Sequence, residues 1–462
     1  MIERHRETTI AALATAPAPA GVAIIRLTGP DSATVLGRIF QGAADPIRDP
    51  RRLIYGAIIE PQTAVTLDHG LAVFMPGPRS YTGEDTVELQ LHGSPLIAQA
   101  VLRALFSLGV VPAEPGEFTR RAFLNGKIDL VQAEAVADLI AATSERALRL
   151  AEEQLGGRLS EALETIGEPL RNALAELEAL IDFSDEDIAP ASLGEIRQMI
   201  TDAREHAIRL IDSYNFGNVV KEGFRVLIAG LPNVGKSSLL NLLLARERAI
   251  VTPISGTTRD LIEEETTIGG YRFVVCDSAG ITETNDPVER IGVALARERL
   301  GWADLVLYVV GADTPPETWR PLLESIRPSA PRVWLLVNKV DLVSPTPPPS
   351  TTEAGCELVI HLSAKTRVGF DALTTALITA VESRRGQGSE SGVAITNERQ
   401  RRCLDEACTA LTRAVDGLAA HMPIEIVSAD VRTAIAALAE IVGQTYTEDI
   451  LGRIFARFCI GK

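Results

Sequence analysis

One segment near the middle of the chain restricts the fold more than any other part of the sequence. It reads RVLIAGLPNVGKSSLLNLLL over residues 225–244, an apolar stretch followed by a loop and a helix-forming run. The loop over 230–237 matches G-x-x-x-x-G-K-S, a phosphate-binding pattern found where a strand leads into a helix. From there to about residue 382 predicted strands alternate with predicted helices, which is typical of a parallel α/β sheet. The sequence therefore predicts a P-loop domain.

The residue types in this loop predict how phosphates and Mg²⁺ are held. Glycines allow backbone N–H groups to converge on phosphates at a helix N-terminus. We expect Lys236 to meet the β- and γ-phosphates and the Ser237 hydroxyl to ligate Mg²⁺. The later stretch FVVCDSAG ends a predicted strand, where Asp277 is expected to reach the Mg²⁺ shell through water and the Gly280 N–H to sense the γ-phosphate.

The nucleotide base is predicted by a second pair of segments. Asn338-Lys339-Val340-Asp341 follows an apolar strand, and LSAKT at 362–366 completes the base pocket. Asp341 can accept hydrogen bonds from the N1–H and the 2-amino group of guanine. Adenine lacks that donor pair, and an unpaired acceptor costs roughly 1–3 kcal/mol, more when it is charged. In this order on an alternating α/β pattern, the segments predict a GTPase.

The means of hydrolysis differs from that of Ras-like enzymes, which orient water with a glutamine after the D-x-x-G element. Here that position is Ile281, so another group must orient water and supply positive charge. Asn233 is a candidate ligand of a monovalent cation, or a simple turn asparagine. The segment VTPISGTTRD at 251–260 offers Thr258 as a Mg²⁺ ligand and turn carbonyls for the cation. The predicted GTP-binding residues are Asn233, Val234, Gly235, Lys236, Ser237, Ser238, Thr252, Pro253, Ile254, Ser255, Gly256, Thr257, Thr258, Asp277, Ser278, Ala279, Gly280, Asn338, Lys339, Asp341, Ser363, Ala364 and Lys365.

The regions before and after the P-loop domain show different sequence patterns. The first 125 or so residues form an α+β pattern, in which DTVELQLHG at 85–93 alternates strictly between apolar and polar residues. Ala/Leu/Glu-rich helical patterns begin near residue 127, continue in a predicted helix over about 191–216 and return after 394, so the α/β domain is inserted into a helical domain. We place the domains at 1–126, 127–222, 223–383 and 384–462, with a Gly/Ser-rich linker at 384–392 and a proline-rich surface loop at 344–352.

Composition and charge exclude several classes of protein. No apolar run approaches the roughly 20 residues that a membrane-spanning helix needs. The cysteines show no C-x-x-C spacing, which argues against a zinc site and a disulfide framework. The net charge of −16 argues against bulk electrostatic binding of nucleic acid. We therefore expect a cytoplasmic protein without membrane contact.

These segments resemble the bacterial and organellar tRNA modification GTPases called the MnmE or TrmE family. The resemblance extends to VAIIRLTG, SYTGEDTVELQLHG, PGEFTRRAFLNGKIDLVQAEAVADLI, ISGTTRD, VERIG and the terminal FCIGK, and so covers essentially the whole chain. It implies a multidomain α/β protein in which an N-terminal α+β folate-binding domain also dimerises. The helical domain is discontinuous, and the inserted domain is a Ras-like P-loop G domain.

The resemblance also implies an activity and partners. K⁺ promotes G-domain dimerisation and GTP hydrolysis in the family, which works with the FAD-containing flavoprotein MnmG (GidA) in a heterotetramer. Together they place an aminomethyl or carboxymethylaminomethyl group on C5 of the tRNA wobble uridine, using 5-formyl-tetrahydrofolate or a related tetrahydrofolate. The implied folate contacts are Arg26, Glu88, Lys127 and Lys462. Glu289 matches the water-orienting glutamate. The implied K⁺ ligands are Asn233, Thr252, Ile254 and Thr257, with Ser237 and Thr258 on Mg²⁺.

The terminal segment FCIGK is the last feature to interpret. As a prenylation box it is poor, because Gly461 is not aliphatic and Lys462 is an unusual final residue. The resemblance instead places Cys459 near the one-carbon chemistry, as a catalytic thiol or as a packing residue. A thiolate requires a cationic neighbourhood, which Lys462 or Arg457 offers.

Two other functions share parts of this pattern. A potassium-activated ribosome-assembly GTPase would have the same G domain, but it would not need the N-terminal domain or the terminal cysteine. A GTP-dependent conformational switch that only recruits partners is the second alternative, and it overlaps with the tRNA modification function because G-domain closure can gate a partner's chemistry.

Overall fold

The computed structural model describes residues 8–182, 192–245, 263–277, 300–343, 355–385 and 393–462. The chain divides into two compact units. Unit 1 comprises Met1–Ile140, Gln154–Ser160 and Ala436–Lys462, and unit 2 comprises Ala141–Glu153 and Glu161–Ile435. The domain boundaries placed from the sequence stay a prediction.

One set of strands precedes residue 113 and a second set follows residue 223. The strands are β1 (Ile10–Leu13), β2 (Ala20–Thr28), β3 (Phe40–Gly42), β4 (Ile54–Ile59), β5 (Thr66–Met75), β6 (Thr86–Gly93), β7 (Val111–Pro112), β8 (Phe224–Gly230), β9 (Glu263–Ile268), β10 (Tyr271–Asp277), β11 (Leu305–Gly311), β12 (Val333–Asn338) and β13 (Leu358–His361). The helices are α1 (Ser32–Ile39), α2 (Pro95–Ser107), α3 (Glu117–Leu124), α4 (Leu130–Ala141), α5 (Glu145–Leu155), α6 (Arg158–Asp182), α7 (Leu193–Asp212), α8 (Tyr214–Glu222), α9 (Lys236–Leu244), α10 (Pro316–Ile326), α11 (Phe370–Glu382), α12 (Glu398–Ala419), α13 (Ile424–Val442) and α14 (Glu448–Phe455).

Unit 1 is built on a seven-stranded sheet with the order β3-β4-β5-β6-β2-β1-β7. Its pairs are antiparallel except β1 and β7, which are parallel. The predicted alternation in β6 is confirmed: Val87, Leu89 and Leu91 are buried, and Glu88 faces the other side with partial exposure. Apolar residues of α1 and α2 join the buried face of the sheet in one core, as expected of an α+β arrangement.

The end of the chain belongs to the same unit. A small apolar core joins α3 and α4 to α14 and to Phe458 beyond it. Its buried members are Phe123, Leu130, Ala133, Val136, Leu451, Phe455 and Phe458. The terminal segment FCIGK therefore begins at an aromatic residue, Phe458, that is packed in this core.

Unit 2 contains a six-stranded sheet with the order β13-β12-β11-β8-β10-β9. The prediction of a parallel sheet is confirmed for all but its edge strand β9, which runs antiparallel to β10. The two strands are joined by Gly269 and Gly270 alone, with φ of +60° and +81°. A two-residue hairpin of this kind requires antiparallel strands.

The helical part of unit 2 departs from the predicted pattern at one point. The sequence predicts a single helix over about residues 191–216, but α7 ends at Asp212 and α8 begins at Tyr214. Between them the buried Ser213 hydroxyl donates to the Leu210 carbonyl at 2.6 Å and accepts the Ile395 N–H at 3.2 Å. A serine that takes up backbone groups in this way competes with a continuous helix.

The two sequence segments of the predicted helical domain meet in unit 2, where α7 packs against α12. The long helical pattern after residue 127 is divided into α4, α5 and α6. Among the described helices, none has the length and apolarity needed to cross a bilayer.

Candidate nucleotide site and C-terminal charged cluster

The P-loop of unit 2 connects the end of β8 to the start of α9, as the motif predicts. Gly230 has a φ of +146°, and a Cβ on it would lie 2.2 Å from the Val309 carbonyl oxygen of β11. Only glycine fits there, because the loop leaves the sheet in contact with the neighbouring strand. Asn233 has a φ of +62°, a left-handed conformation that asparagine adopts more readily than most residues.

Lys236 and Ser237, the residues predicted to bind phosphate and Mg²⁺, are both held by hydrogen bonds. The Lys236 ammonium donates to the carbonyls of Gly230 and Leu231, both at 3.0 Å, and so lies over the loop at the start of α9. The Ser237 hydroxyl donates to Asp277 Oδ2 at 3.1 Å. The prediction that Ser237 ligates Mg²⁺ directly and that Asp277 reaches its shell through water is compatible with this spacing, because Mg²⁺ takes few protein ligands and completes its shell with water and phosphate. The described residues contain no cluster of three or more His, Cys, Asp or Glu suited to a metal ion.

Asn338 connects the P-loop to the predicted base pocket. Its side-chain amide donates to the Val234 carbonyl at 2.8 Å, and its side-chain oxygen accepts the Ala364 N–H at 2.9 Å. Asn338 is only 2% exposed, so both contacts are shielded from water. One side chain therefore holds together the phosphate loop and the loop after β13.

Asp341 is prepared as a hydrogen-bond acceptor. The Ser363 hydroxyl donates to Asp341 Oδ1 at 2.6 Å and accepts the Thr366 N–H at 3.1 Å. The hydrogen bond from Ser363 holds the pKa of the Asp341 carboxyl below its ordinary value, and the positive charge of Lys365 contributes less. The carboxylate therefore stays ionised, as the predicted contact with the guanine N1–H and 2-amino group requires.

A second group of charges forms in unit 1 around Arg26. β2 and β6 pair in a register that places Arg26 directly opposite Glu88, and the Arg26 Nε and Nη2 atoms lie 2.9 Å and 2.8 Å from Glu88 Oε1. The guanidinium also lies over the rings of Tyr81 and Phe118, 5.6 Å and 5.8 Å from their centroids. Two aromatic rings therefore line this half-buried ion pair, and the faces of aromatic rings attract cations such as the guanidinium.

The C-terminal tail completes this cluster. Arg26 Nη1 donates to the Gly461 carbonyl at 3.5 Å. Burial lowers the pKa of the Lys462 ammonium below its ordinary value, the charge of Arg26 lowers it further, and Glu88 opposes both. Lys462 is thus close enough to Arg26 and Glu88 for their charges to act on it. We refer to Arg26, Glu88 and Lys462 as the tail cluster.

Lys127 and Cys459 are the other two residues that the sequence predicts for this site. Lys127 belongs to the same unit, and its Nζ donates to the Pro78 carbonyl at 3.0 Å. Cys459 is an exposed free thiol, joined to Lys462 by a turn in which the Lys462 N–H donates to the Cys459 carbonyl at 3.3 Å. Its chemical role stays a prediction.

Sequence reasoning missed the two aromatic residues that lie against the Arg26 guanidinium. Tyr81 and Phe118 lie within segments that carry the family resemblance, SYTGED and PGEFTRR, but no motif assigns them a role.

Several predicted residues lie outside the described part of the chain. They are Thr252, Pro253, Ile254, Ser255, Gly256, Thr257, Thr258, Ser278, Ala279, Gly280 and Glu289.

Two protein-family models together match residues in both units. A family model described as the GTP-binding protein TrmE N-terminus matches residues 9–127, and one described as the MnmE helical domain matches residues 130–459. The solved G domain of the T. maritima FeoB iron transporter is 26% identical and covers 34% of this chain and 98% of that chain, with a TM-score of 0.27.

Two relatives match along their whole length. The tRNA modification GTPase MnmE of Geobacter sulfurreducens is 42% identical over 461 residues, covering 99% of this chain and 99% of that protein. The protein of the same name from Geobacter metallireducens is 43% identical and covers 99% of this chain and 100% of that protein. With the two family models they confirm the fold class predicted from the sequence. The chain belongs to the tRNA modification GTPase MnmE family.

Proposed function

We propose that this chain is a potassium-activated GTPase that modifies the wobble uridine of certain tRNAs together with a flavoprotein partner. The names of its relatives support GTP hydrolysis and tRNA modification. With MnmG (GidA), which would carry FAD, the chain would install an aminomethyl or carboxymethylaminomethyl group at C5. The carbon would come from a tetrahydrofolate. The observation that carries this finer chemistry is the tail cluster of Arg26, Glu88 and Lys462, and Lys462 follows Cys459 by three residues.

The tail cluster suits a reduced folate because its charges match both ends of that molecule. A pterin presents N–H and amino donors along one edge, and a carboxylate such as Glu88 accepts such donors in charge-assisted hydrogen bonds. Both Arg26 contacts go to Oε1 of Glu88, so we assign Oε2 to the pterin edge. The glutamate tail of a folate is anionic, and we assign it to Lys127 and Lys462. The bound folate would supply the one-carbon unit, with Cys459 as the candidate catalytic thiol.

In the G domain the same proposal assigns groups to phosphate, Mg²⁺, K⁺ and water. Lys236 at the start of α9 binds the phosphates, and its position over the loop supports that role. Ser237, 3.1 Å from Asp277, supports the Mg²⁺ assignment. A K⁺ ion would supply positive charge near the developing β–γ charge, as an arginine finger does in related enzymes. The proposed K⁺ ligands are Asn233, Thr252, Ile254 and Thr257, with Thr258 on Mg²⁺ and Glu289 orienting water.

The proposed assembly follows from charge as well as from the family. With a net charge of −16, this chain is poorly suited to hold tRNA alone, so the flavoprotein would hold much of it. We expect a homodimer through the N-terminal domain and a heterotetramer with MnmG, working in the cytoplasm without membrane contact.

Reconstitution of the full chain with the flavoprotein, tRNA, GTP and 5-formyl-tetrahydrofolate or a related tetrahydrofolate tests the proposal. We expect modified wobble uridine only when all components are present, and faster GTP turnover in K⁺ than in Na⁺. Asn233→Ala should remove the difference between the two cations, and Cys459→Ser should remove the product but leave GTP turnover. Full product without any folate would contradict the one-carbon assignment.

The ribosome-assembly alternative makes a different prediction for the same mixture. Such an enzyme would show potassium-dependent GTP turnover but no modified uridine. Binding of 5-formyl-tetrahydrofolate to the full chain, and its loss in Arg26→Gln, would then have no explanation. These results separate the two functions, because they depend on unit 1 and not on the G domain that both share.

A further inference from the structure

Gly461 occupies a position in the tail where no side chain fits. It is buried and has a φ of +98°, a backbone conformation that strains residues with a Cβ. A Cβ built there would lie 2.4 Å from the Leu13 carbonyl oxygen and 2.9 Å from Ala14 Cα. Both neighbours are backbone atoms, so neither can rotate away. A glycine is therefore required at this point for steric and conformational reasons together.

The strand that Gly461 touches is the neighbour of the one that carries Arg26. Leu13 is the last residue of β1 and pairs with Ile25 of β2, one residue before Arg26. From this position the Gly461 carbonyl accepts the hydrogen bond from Arg26 Nη1. The close approach to β1 thus places the tail backbone within reach of the guanidinium that pairs with Glu88.

The tail is also fixed on the other side of the exposed Cys459. Phe455 and Phe458 are 3% and 7% exposed within the small apolar core. Gly116, with a φ of +68°, lies against them so closely that a Cβ on it would be 2.9 Å from the Phe455 carbonyl oxygen and 3.0 Å from Phe458 Cβ. Cys459 and Ile460 therefore lie exposed between two backbone contacts that tolerate no added atom.

We propose that Gly461 is a positioning residue: its contact with Leu13 holds Lys462 beside Arg26 and Glu88, and it fixes the exposed Cys459 between Phe458 and Gly461. The positioning of the tail backbone rests on the contacts of Gly461 with Leu13, Ala14 and Arg26, and only its consequence for a folate ligand rests on the proposed function.

The test compares Gly461→Ala with Gly452→Ala in the full chain. Gly452 lies in α14, nine residues before Gly461, and a Cβ on it would meet nothing within 4 Å. The first readout is the titration of the Lys462 amine, followed by NMR with labelled lysine and assigned by Lys462→Met. In the wild type and in Gly452→Ala, we expect the pKa of Lys462 to lie below its ordinary value because of burial and Arg26. Gly461→Ala should move it toward the ordinary value.

The second readout is calorimetric binding of 5-formyl-tetrahydrofolate to the same proteins. We expect Gly461→Ala to bind it at least about tenfold more weakly than Gly452→Ala does, which corresponds to about 1.4 kcal/mol. The two readouts separate the two claims. If the wild type binds no folate while Gly461→Ala still shifts the Lys462 titration, the proposed function fails and the positioning role stands.

An unchanged Lys462 titration in Gly461→Ala, or an equal shift in Gly452→Ala, would overturn the positioning role. Unfolding midpoints and GTP binding, measured on the same samples, show whether Gly461→Ala misfolds the whole protein. In that case Ile460→Gly provides the second test, since it loosens the tail without adding an atom and Ile460 is 60% exposed. It should shift the Lys462 pKa in the same direction by a smaller amount, and no shift would also overturn the role.

Discussion

We expect the choice of base to depend above all on Asp341. Its carboxylate accepts a hydrogen bond from the Ser363 hydroxyl at 2.6 Å. This hydrogen bond fixes the orientation of the carboxylate and lowers its pKa, which keeps it ionised. Guanine presents two donors to such a group. Xanthine presents one donor and one carbonyl oxygen at the same positions, and an amide side chain matches that pair because it both accepts and donates.

We therefore expect Asp341→Asn to change the preferred nucleotide from GTP to xanthosine triphosphate. GTP affinity should fall about a hundredfold, or roughly 2.7 kcal/mol, because one guanine donor then faces a donor. Fluorescent nucleotide binding measures both affinities. Asp313→Asn is the control, since it removes the same charge at an exposed position of unit 2. Equal loss of GTP and xanthosine triphosphate binding would show that the substitution damages the pocket in general.

Candidate residues for the nucleotide site could be identified from the sequence because each motif lies on a short stretch of chain, as for Lys236, Ser237 and Asp341. The tail cluster needed the structure. Arg26 and Glu88 are 62 residues apart, and Arg26 and Gly461 are 435 residues apart. Their meeting depends on the register of β2 with β6 and on the path of the tail, neither of which has a local signal. Only the family resemblance grouped them.

Among the elements, the edge strand β13 carries a half-buried histidine, His361, next to the predicted base pocket. Burial lowers the pKa of its imidazole below 6.5. The unfolded chain therefore binds a proton at a higher pH than the folded chain does. The stability that the neutral imidazole contributes is fully present above pH 6.5 and is lost as the pH falls from there toward the folded-state pKa.

His361→Gln should make the stability of the inserted domain less sensitive to pH in this window. The three tryptophans of the chain, Trp302, Trp319 and Trp334, all lie in that domain, so their fluorescence reports its unfolding by denaturant. We expect the wild-type midpoint to fall more steeply below pH 6.5 than that of His361→Gln. His206→Gln, at an exposed position of α7, should keep the wild-type slope. Identical slopes for all three proteins would contradict this role of His361.

The elements also show where periodicity stops being informative. Alternation in β6 and the apolar run of β12 predict strands because burial follows from them directly. The direction of β9 depends on the two glycines at 269 and 270, and the break between α7 and α8 depends on a hydrogen bond from the distant Ile395 to Ser213. Hydrophobic periodicity carries neither kind of information.

At the scale of the whole molecule, the inserted domain is bounded by a close crossing of two chain segments within unit 2. Gly217 lies in α8, which leads into β8, and Ile395 lies just before α12. A Cβ on Gly217 would be 2.1 Å from the Ile395 carbonyl oxygen. The segment that leads into the inserted domain and the one that leaves it therefore touch through backbone atoms.

Gly217→Ala should destabilise unit 2 by roughly 1–3 kcal/mol, the range for overpacking a tight contact. Gly194→Ala in α7 is the matched control, because its Cβ would meet only Ser192 Oγ at 3.8 Å. The control should be neutral or more stable by up to about 1 kcal/mol, as for glycine replacement within a helix. Denaturation followed by circular dichroism measures both. If Gly217→Ala is as stable as the control, the crossing is looser than the structure indicates.

The central claim, that this member of the MnmE family modifies tRNA, is tested most directly in the organism that encodes it. Mass spectrometry of tRNA nucleosides would compare a strain lacking the gene with the same strain carrying the wild-type gene again. We predict that the deletion loses the C5 group of the modified wobble uridine and that the wild-type gene restores it. An unchanged amount of modified uridine in the deletion strain would contradict the claim.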